Sequence, residues 1–323
     1  MAAIITQIKE AAELLNNEAV VAVPTETVYG LAGNIYSAKA VEQMFTIKQK
    51  PFYNPLIAHI PSINSLDKIA AEIPEKAFQL AKAFWPGPLT LVLKKQPSVP
   101  DLVTGGKDTV AIRIPNHPLA ISLLAGLDFP LAAPSANPFG AISPTTAAHV
   151  ASYFEGNDLR VLDGGPCEKG IESTIIGFKG EQPIVYRLGA ITIEQVVAIV
   201  GYIEVNSLHS GSAPEAPGML LSHYAPKVPA LLTDDIEKTV SLHSGKKIGI
   251  LAFSKVSLAN EQRYDSEILS VKADLEEASF KFYAALHRLD KQEFDLIIME
   301  KFPDKGLGKT INDRMQRAST RRS

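Results

Sequence analysis

The sequence predicts an α/β protein built in two parts, on three observations. Apolar, β-branched runs such as AVVAV (19–23) and TVAIRIP (109–115) alternate with stretches of helical period as far as residue 201. The composition then changes to a Ser, Pro and Gly-rich segment, HSGSAPEAPGMLLSHYAP (209–226), which has the character of a linker. Beyond it a shorter alternation of strands and helices resumes. A length of 323 residues with 46% hydrophobic residues suits two cores better than one.

Ile5, Ile8, Ala11, Ala12 and Leu15 recur at helical spacing, so residues 4–17 are expected as a helix. AVVAVP is a strand, and SAKAVEQMFTIKQ (37–49) a helix opened by Ser37. NPLIAHI (54–60) is a strand, and PEKAFQLAKAFW (74–85) a helix stopped by PGP at 86–88. LTLVLKK (89–95) and TVAIRIP are strands, and HPLAISLLAGL (117–127) a helix. PLAAPSAN (130–137) starts as a short strand and turns polar. SPTTAAHVASYF (143–154) is a helix capped by Ser143 or Thr145. RVLDGG (160–165), STIIGF (173–178) and IVYRLG (184–189) are strands, and ITIEQVVAIVG (191–201) is a helix. In the second part ALLT (230–233), KIGILAF (247–253) and DLIIMEKF (295–302) are strands. DLEEASFKFYAALHRLD (274–290) is a helix, and a last helix starts near Thr310. The division is 1–205, a linker at 206–228 and 229–323.

A net charge of −3 argues against a surface coated for nucleic acid and leaves room for a local basic pocket. Cys167 is the single cysteine, so no internal disulfide forms and a reducing compartment is expected. The N-terminus lacks the basic and apolar regions of a signal peptide, and no apolar run reaches the roughly 18 residues of a membrane span. A cytoplasmic protein without membrane contact is expected.

Polar groups gather where strands end. Thr25, Glu26 and Thr27 follow AVVAV; Lys48, Lys50, Asn54 and His59 lie in KQKPFYNPLIAH; Thr109 and Arg113 flank VAI; Ser135, Asn137 and Ser143 lie in APSANPFGAIS. Ser173 and Arg187 follow in GIEST and VYRLG. A lysine pair at a helix end often only complements the helix dipole, and a hydroxyl beside proline is often a turn residue. Strand arginines are harder to dismiss, because a partly desolvated guanidinium needs an anionic partner. Cations, hydroxyls and amides at strand ends together describe a cavity for a polyanion. PDKGLGKT (303–310) nearly matches a phosphate loop, but Pro303 stands where the first glycine belongs, so Gly306 and Gly308 read as turn residues. No metal-ligand spacing is evident, and Cys167 reads as a loop residue.

PTETVYGLAGN, KQKPFYNPLIAH, PGPLTLVL, VAIRIPNHP, APSANPFGAIS, GGPCEKGIESTII and VYRLG resemble the successive motifs of the YrdC-like threonylcarbamoyl-AMP synthases, covering residues 20–190. PGMLLSHYAP and GLGKTINDRMQRAS resemble the long, two-domain form. The resemblance implies a twisted mixed sheet around a concave basic cavity, with a smaller Rossmann-like α/β domain behind the linker. It implies synthesis of threonylcarbamoyl-AMP from L-threonine, bicarbonate or CO2 and ATP, with release of pyrophosphate. A downstream transferase complex would then carry the group to tRNA, and a direct tRNA contact stays open. By resemblance the threonine site comprises Thr27, His59, Arg113, Ala133 and Ser173. The ATP site comprises Lys50, Asn54, Thr109, Ser135, Ser143 and Arg187, with Lys48 and Asn137 as further contacts and His223 and Tyr224 of the linker nearby. The linker at 209–226 is itself expected to be a lid, being longer than a tether needs and holding aromatic and apolar residues in MLLSHYAP. Lys50 and Arg113 would carry the catalysis, with Mg2+ on the ATP phosphates and no protein ligand for it. The family often has Lys-x-Arg where this chain has Lys48-Gln49-Lys50, which keeps the charge and loses the planar fork. Two other readings stand beside this one: an RNA-binding module without chemistry, and a phosphate-loop nucleotidase in the second domain centred on Lys309.

Overall fold

A computed structural model describes residues 2–206, 215–219, 223–256 and 264–320. The parts of the expected linker at 207–214 and 220–222 lie outside the described residues. In chain order the first unit runs β1 (Ala3–Ile5), α1 (Ile8–Asn16), β2 (Val21–Val23), β3 (Gly30–Asn34), α2 (Ala38–Lys48), β4 (Ile57–His59), β5 (Ala70–Glu72), α3 (Glu75–Phe84), β6 (Leu89–Lys95), α4 (Asp101–Thr104), β7 (Thr109–Arg113), α5 (Pro118–Ala125), β8 (Leu131–Ala132), α6 (Ala147–Tyr153), β9 (Arg160–Leu162), β10 (Thr174–Lys179), β11 (Gln182–Arg187), α7 (Ile193–Val200) and β12 (Glu204–Val205). The second runs β13 (Ala230–Thr233), α8 (Ile236–Leu242), β14 (Ile248–Ala252), β15 (Tyr264–Ile268), α9 (Leu275–Asp290), β16 (Leu296–Glu300) and α10 (Leu307–Ser319).

The first sheet has the order β1-β9-β2-β3-β8-β4-β7-β6-β10-β11-β12, with β5 on β6. It is mixed: β4 and β7 are parallel, as are β6 and β10, while β3–β8, β4–β8 and β6–β7 are antiparallel. The second sheet, β13-β16-β14-β15, is parallel throughout. Each unit has buried clusters of its own, and they also share one. One buried cluster joins Val28, Ile142 and Ile171 of the first to Phe282, Tyr283, Ile311 and Met315 of the second.

Several expectations need correction. Residues Ala3–Ile5 are a strand paired in parallel with Arg160–Leu162, and the helix starts only at Ile8. The β-branched pair Ile4-Ile5 suits an edge strand. Strand β3 escapes the pattern because it is GLAGN, with glycine inside. A Cβ on Gly33 would stand 3.1 Å from Met44 Cε and 3.2 Å from Ala40 Cβ, so glycine lets helix α2 lie close on the sheet. Strand β15 escapes it because YDSEI is a half-exposed edge strand with no apolar run. Helix α6 is capped by Thr146, whose hydroxyl accepts from His149 N, rather than by Ser143 or Thr145. Helix α10 begins at Leu307, before Thr310, so Gly308 lies inside it and only Gly306, with φ of 50°, is a turn residue. The Ser37 cap of α2 is present, accepting from Ala40 N.

Candidate active site

His59 and Arg113 end the parallel strands β4 and β7 side by side in register. Side chains at the carboxyl ends of parallel strands face the crevice where α/β sheets bind ligands. The loop after β2 returns into β3, and Thr25 organises it. Its Oγ1 accepts from the backbone N–H groups of Thr27 and Val28, both at 3.2 Å, and donates to Val28 O at 2.6 Å. That turn points Thr27 at the same crevice. Gly30 bridges Ser135, and a Cβ on it would meet Ala133 Cβ at 3.2 Å. Glycine there lets the PSAN loop close down.

The result is a cavity of about 60 Å³. Thr27, His59, Arg113, Ala133, Ser173, Lys48, Lys50, Ser135, Asn137, Arg187, His223 and Tyr224, all expected site residues, line it. Three others do not. Asn54 is buried, its amide oxygen without a hydrogen-bond partner among the described residues. Thr109 begins β7, at the end of the strand opposite Arg113. Ser143 stands behind a lining residue, its hydroxyl donating to Glu172 Oε1 at 2.6 Å.

The charges of the wall are unbalanced. Lys48, Lys50, Arg113 and Arg187 face the cavity, against one lining carboxylate, Glu172. Lys48 Nζ donates to the carbonyls of Ser135 and Asn137, pinning the PSAN loop. Its burial pulls its pKa down to about 7, against which those two acceptors work. Lys50 has no carboxylate partner among the described residues, and its ammonium lies 5.7 Å from the centre of the Phe139 ring. Burial, then the charges of Lys48 and Arg187, hold its pKa well below that of a free lysine. Arg187 donates to Ser173 O from Nε (3.2 Å) and Nη2 (2.8 Å), and to Pro217 O from Nη1 (3.2 Å). Arg113 Nη2 stands 2.8 Å from Glu26 Oε1, but off the line of a hydrogen bond.

His59 is neutral. Burial, then the Arg113 charge, pulls its pKa to about 3. Its Nδ1 lies 3.2 Å from Ile57 O, which can only accept, so Nδ1 carries the proton and Nε2 is an acceptor. Glu172 is the opposite case. Burial opposes its ionisation, but Arg314, Arg187 and the Ser143 hydroxyl outweigh it and keep the carboxyl below its ordinary range. His223 and Tyr224 fold over the cavity from the chain between the units. Tyr224 adopts φ of 62°, a left-handed conformation unusual for tyrosine. Neither His223 Nδ1 nor Tyr224 OH has a hydrogen-bond partner among the described residues. Burial, then the charges of Lys50, Lys48 and Arg187, keeps His223 neutral.

Sequence reasoning did not single out Glu172, Phe139, Pro217 or Gly218 as lining residues, nor Tyr283 and Arg314 behind Glu172. Glu172 stands inside a quoted motif, and Arg314 inside the quoted tail; nothing in the linear spacing joins them. Lys309 and Thr310 of the near phosphate loop are engaged elsewhere. Lys309 pairs with Glu194 at 3.0 Å and Thr310 donates to Gly189 O at 3.1 Å, both docking α10 on the first unit. Cys167 is buried, and burial pushes its thiol pKa up, which leaves it inert.

Comparison with known proteins gives the family. Residues 13–189 match the Sua5/YciO/YrdC family model, described as telomere recombination, and residues 191–320 match the C-terminal domain of threonylcarbamoyl-AMP synthase. The chain is 39% identical to a threonylcarbamoyl-AMP synthase of Bacillus subtilis, over 97% of this chain and 93% of that one. It is 38% identical to the enzyme of that name from Pyrococcus abyssi, over 97% and 94%. The crystal structure of P. abyssi Sua5 complexed with L-threonine superposes with a TM-score of 0.90 at 36% identity, over 99% of this chain and 97% of that chain. The chain therefore belongs to the threonylcarbamoyl-AMP synthase family, in the form that carries both units.

Proposed function

We propose that the protein makes L-threonylcarbamoyl-AMP from L-threonine, bicarbonate or CO2 and ATP, releasing pyrophosphate. The observation that carries this is Lys50, a buried ammonium with no carboxylate partner among the described residues, lying beside two more cations. Such repulsion stabilises nothing in the free protein, and a polyphosphate relieves it. An RNA-binding module would carry its cations on an exposed face, whereas Lys48, Lys50, Arg113 and Arg187 are all buried.

In this reading the Arg113 corner takes threonine. The guanidinium meets the carboxylate, Thr27 offers a hydroxyl, His59 Nε2 an acceptor and Ala133 its backbone. Lys50, Lys48, Ser135, Asn137 and Arg187 face the triphosphate and its α-phosphorus. The threonine amine adds to CO2 and loses a proton, giving a carbamate. A carbamate oxygen attacks the α-phosphorus, the bond to the β-phosphate oxygen breaks, and pyrophosphate leaves. Both reactants are anions, so fixed cations and positioning lower the barrier. Mg2+ carried on the triphosphate would neutralise charge on the pyrophosphate as it leaves; Glu26 and Glu172 are already paired with Arg113 and Arg314, so no side chain is proposed to hold it.

The segment at 215–219 and 223–226 acts as a lid. A cavity of about 60 Å³ is far below the roughly 300–1,000 Å³ of sites for ligands of this size. Pro217, Gly218, His223 and Tyr224 are part of its wall, and in this reading that stretch of chain swings out to admit substrates. Closure again would exclude water from a mixed anhydride that water destroys. A transferase acting on tRNA would consume the product. The test is pyrophosphate release with ATP, L-threonine and bicarbonate omitted in turn. Release that requires all three, with threonylcarbamoyl-AMP identified by its mass, is expected; equal release without threonine overturns the reading.

A further inference from the structure

Helix α10, from the second unit, reaches the site by two arginines that do not line the cavity. The Arg314 side chain is fully buried. Its Nε donates to Glu172 Oε2 at 2.8 Å, its Nη2 to Leu188 O and its Nη1 to Asp313, and its guanidinium lies 4.8 Å from the centre of the Tyr224 ring. Glu172 is completed by Ser143 Oγ at 2.6 Å and by Tyr283 OH of α9 at 2.8 Å. Arg317 donates from Nη1 to Met219 O at 3.0 Å, and its own carbonyl accepts from His223 N at 3.4 Å. One helix thus grips the lid at Met219, at His223 and at Tyr224. It also holds the peptide that follows Arg187, through Leu188 O.

We propose that Arg314 is a positioning residue for adenylate formation: from the second unit it neutralises Glu172 and seats Tyr224 over the cavity, so that the lid closes only against a docked α10. Two physical consequences follow. Without Arg314, Glu172 would be a bare carboxylate in the wall of a site meant for a triphosphate, and like charges repel. And Tyr224, held in a left-handed backbone conformation, needs surroundings that over-determine it; the Arg314 face is one of them. The second unit then acts as the frame against which the lid closes. The inference rests on the proposed function only in its activity arm.

The test compares wild type with Arg314→Met/Glu172→Gln, which removes both buried charges together, and with Arg314→Lys, which keeps the charge and loses the fork. Hydrogen exchange at 215–219 and 223–226 is read against exchange in β6. A lid that exchanges at least tenfold faster in the double variant, with β6 unchanged, supports the proposal; wild-type lid exchange overturns it, whatever the enzyme makes. In the activity arm, threonine binding by calorimetry should be retained. The double variant should lose tenfold or more in kcat and release a larger share of AMP without threonylcarbamoyl-AMP, with Arg314→Lys in between. Activity that falls only in step with the folded fraction overturns the positioning role. Absence of adenylate synthesis by the wild type would instead overturn the proposed function, and the exchange arm would still decide the latch.

Discussion

Two buried arginine–carboxylate pairs each contribute one member to the cavity wall, Arg113 from one and Glu172 from the other, and they are built differently. At the Arg314 corner every group is answered: Glu172 takes bonds from Arg314, Ser143 and Tyr283, and Arg314 also has Leu188 O and Asp313. At the Arg113 corner the charges touch at 2.8 Å, yet Arg113 Nε and Nη2 and both Glu26 oxygens have no aligned hydrogen bond among the described residues. A saturated pair holds a structure together. An unsaturated one has donors left for a ligand, since buried polar groups without partners are rare in native folds. The difference separates the part of the wall that frames the lid from the part proposed to receive a substrate.

The largest effect expected is on stability at the saturated corner. Arg314→Ala leaves Glu172 buried and unpaired and should cost about 3–5 kcal/mol, read as a lower denaturant midpoint. Most of that loss should be recovered in Arg314→Met/Glu172→Gln, where no bare charge remains. Equal loss in both variants would mean that packing, rather than charge, is what Arg314 supplies.

Lys50 should behave in the opposite sense. Lys50→Met removes a buried amine with no carboxylate partner among the described residues, so the free protein should gain about 0.5–2 kcal/mol in stability while its ATP affinity drops sharply. A less stable Lys50→Met would show that some interaction in the free protein already satisfies the ammonium. Next comes substrate choice. L-serine lacks the γ-methyl of threonine, and one methyl in an apolar pocket is worth about 1–3 kcal/mol in kcat/KM; competition assays with equal kcat/KM values would remove any role of the wall in reading that methyl.

The smallest effect concerns the seam between the units. His149 of α6 stacks on His287 of α9 at 3.9 Å, and His287 Nε2 faces Ser143 O. Burial is the main reason that both are held neutral, with pKa values of about 4 and about 3, and the neighbouring Lys291 charge adds to it. An unfolded histidine protonates near 6.5. Between that value and about 4 the unfolded chain binds more protons, so stability should fall as pH drops through this window. A His149→Phe/His287→Phe pair should flatten that part of the pH–stability profile, measured by thermal melts; an unchanged slope would show that other groups set it.

Much of this was legible in the sequence, and the limits have physical causes. Strong periodicity placed β6 and β13 to the residue, and the polar groups at strand ends marked most of the cavity wall. What escaped depended on contacts across the fold. Strand β3 is invisible as a pattern because its glycines serve the approach of α2. Ser143 looked like a ligand or a cap, because nothing local shows that Glu172 engages its hydroxyl. Arg314 lies 142 residues from Glu172, and nothing in the linear spacing joins them. The near phosphate loop is a similar case, since Lys309 and Thr310 find their partners on the first unit.

The assignment of the unsaturated corner to threonine, and of Lys50 to ATP, is tested most directly by calorimetry of each ligand alone on Arg113→Ala and Lys50→Ala. In this account Arg113→Ala loses about 1.5–3 kcal/mol of threonine affinity, the worth of a charge-assisted contact, and keeps its ATP affinity. Lys50→Ala shows the reverse. Wild-type threonine affinity in a folded Arg113→Ala protein would contradict the assignment of the unsaturated corner to threonine.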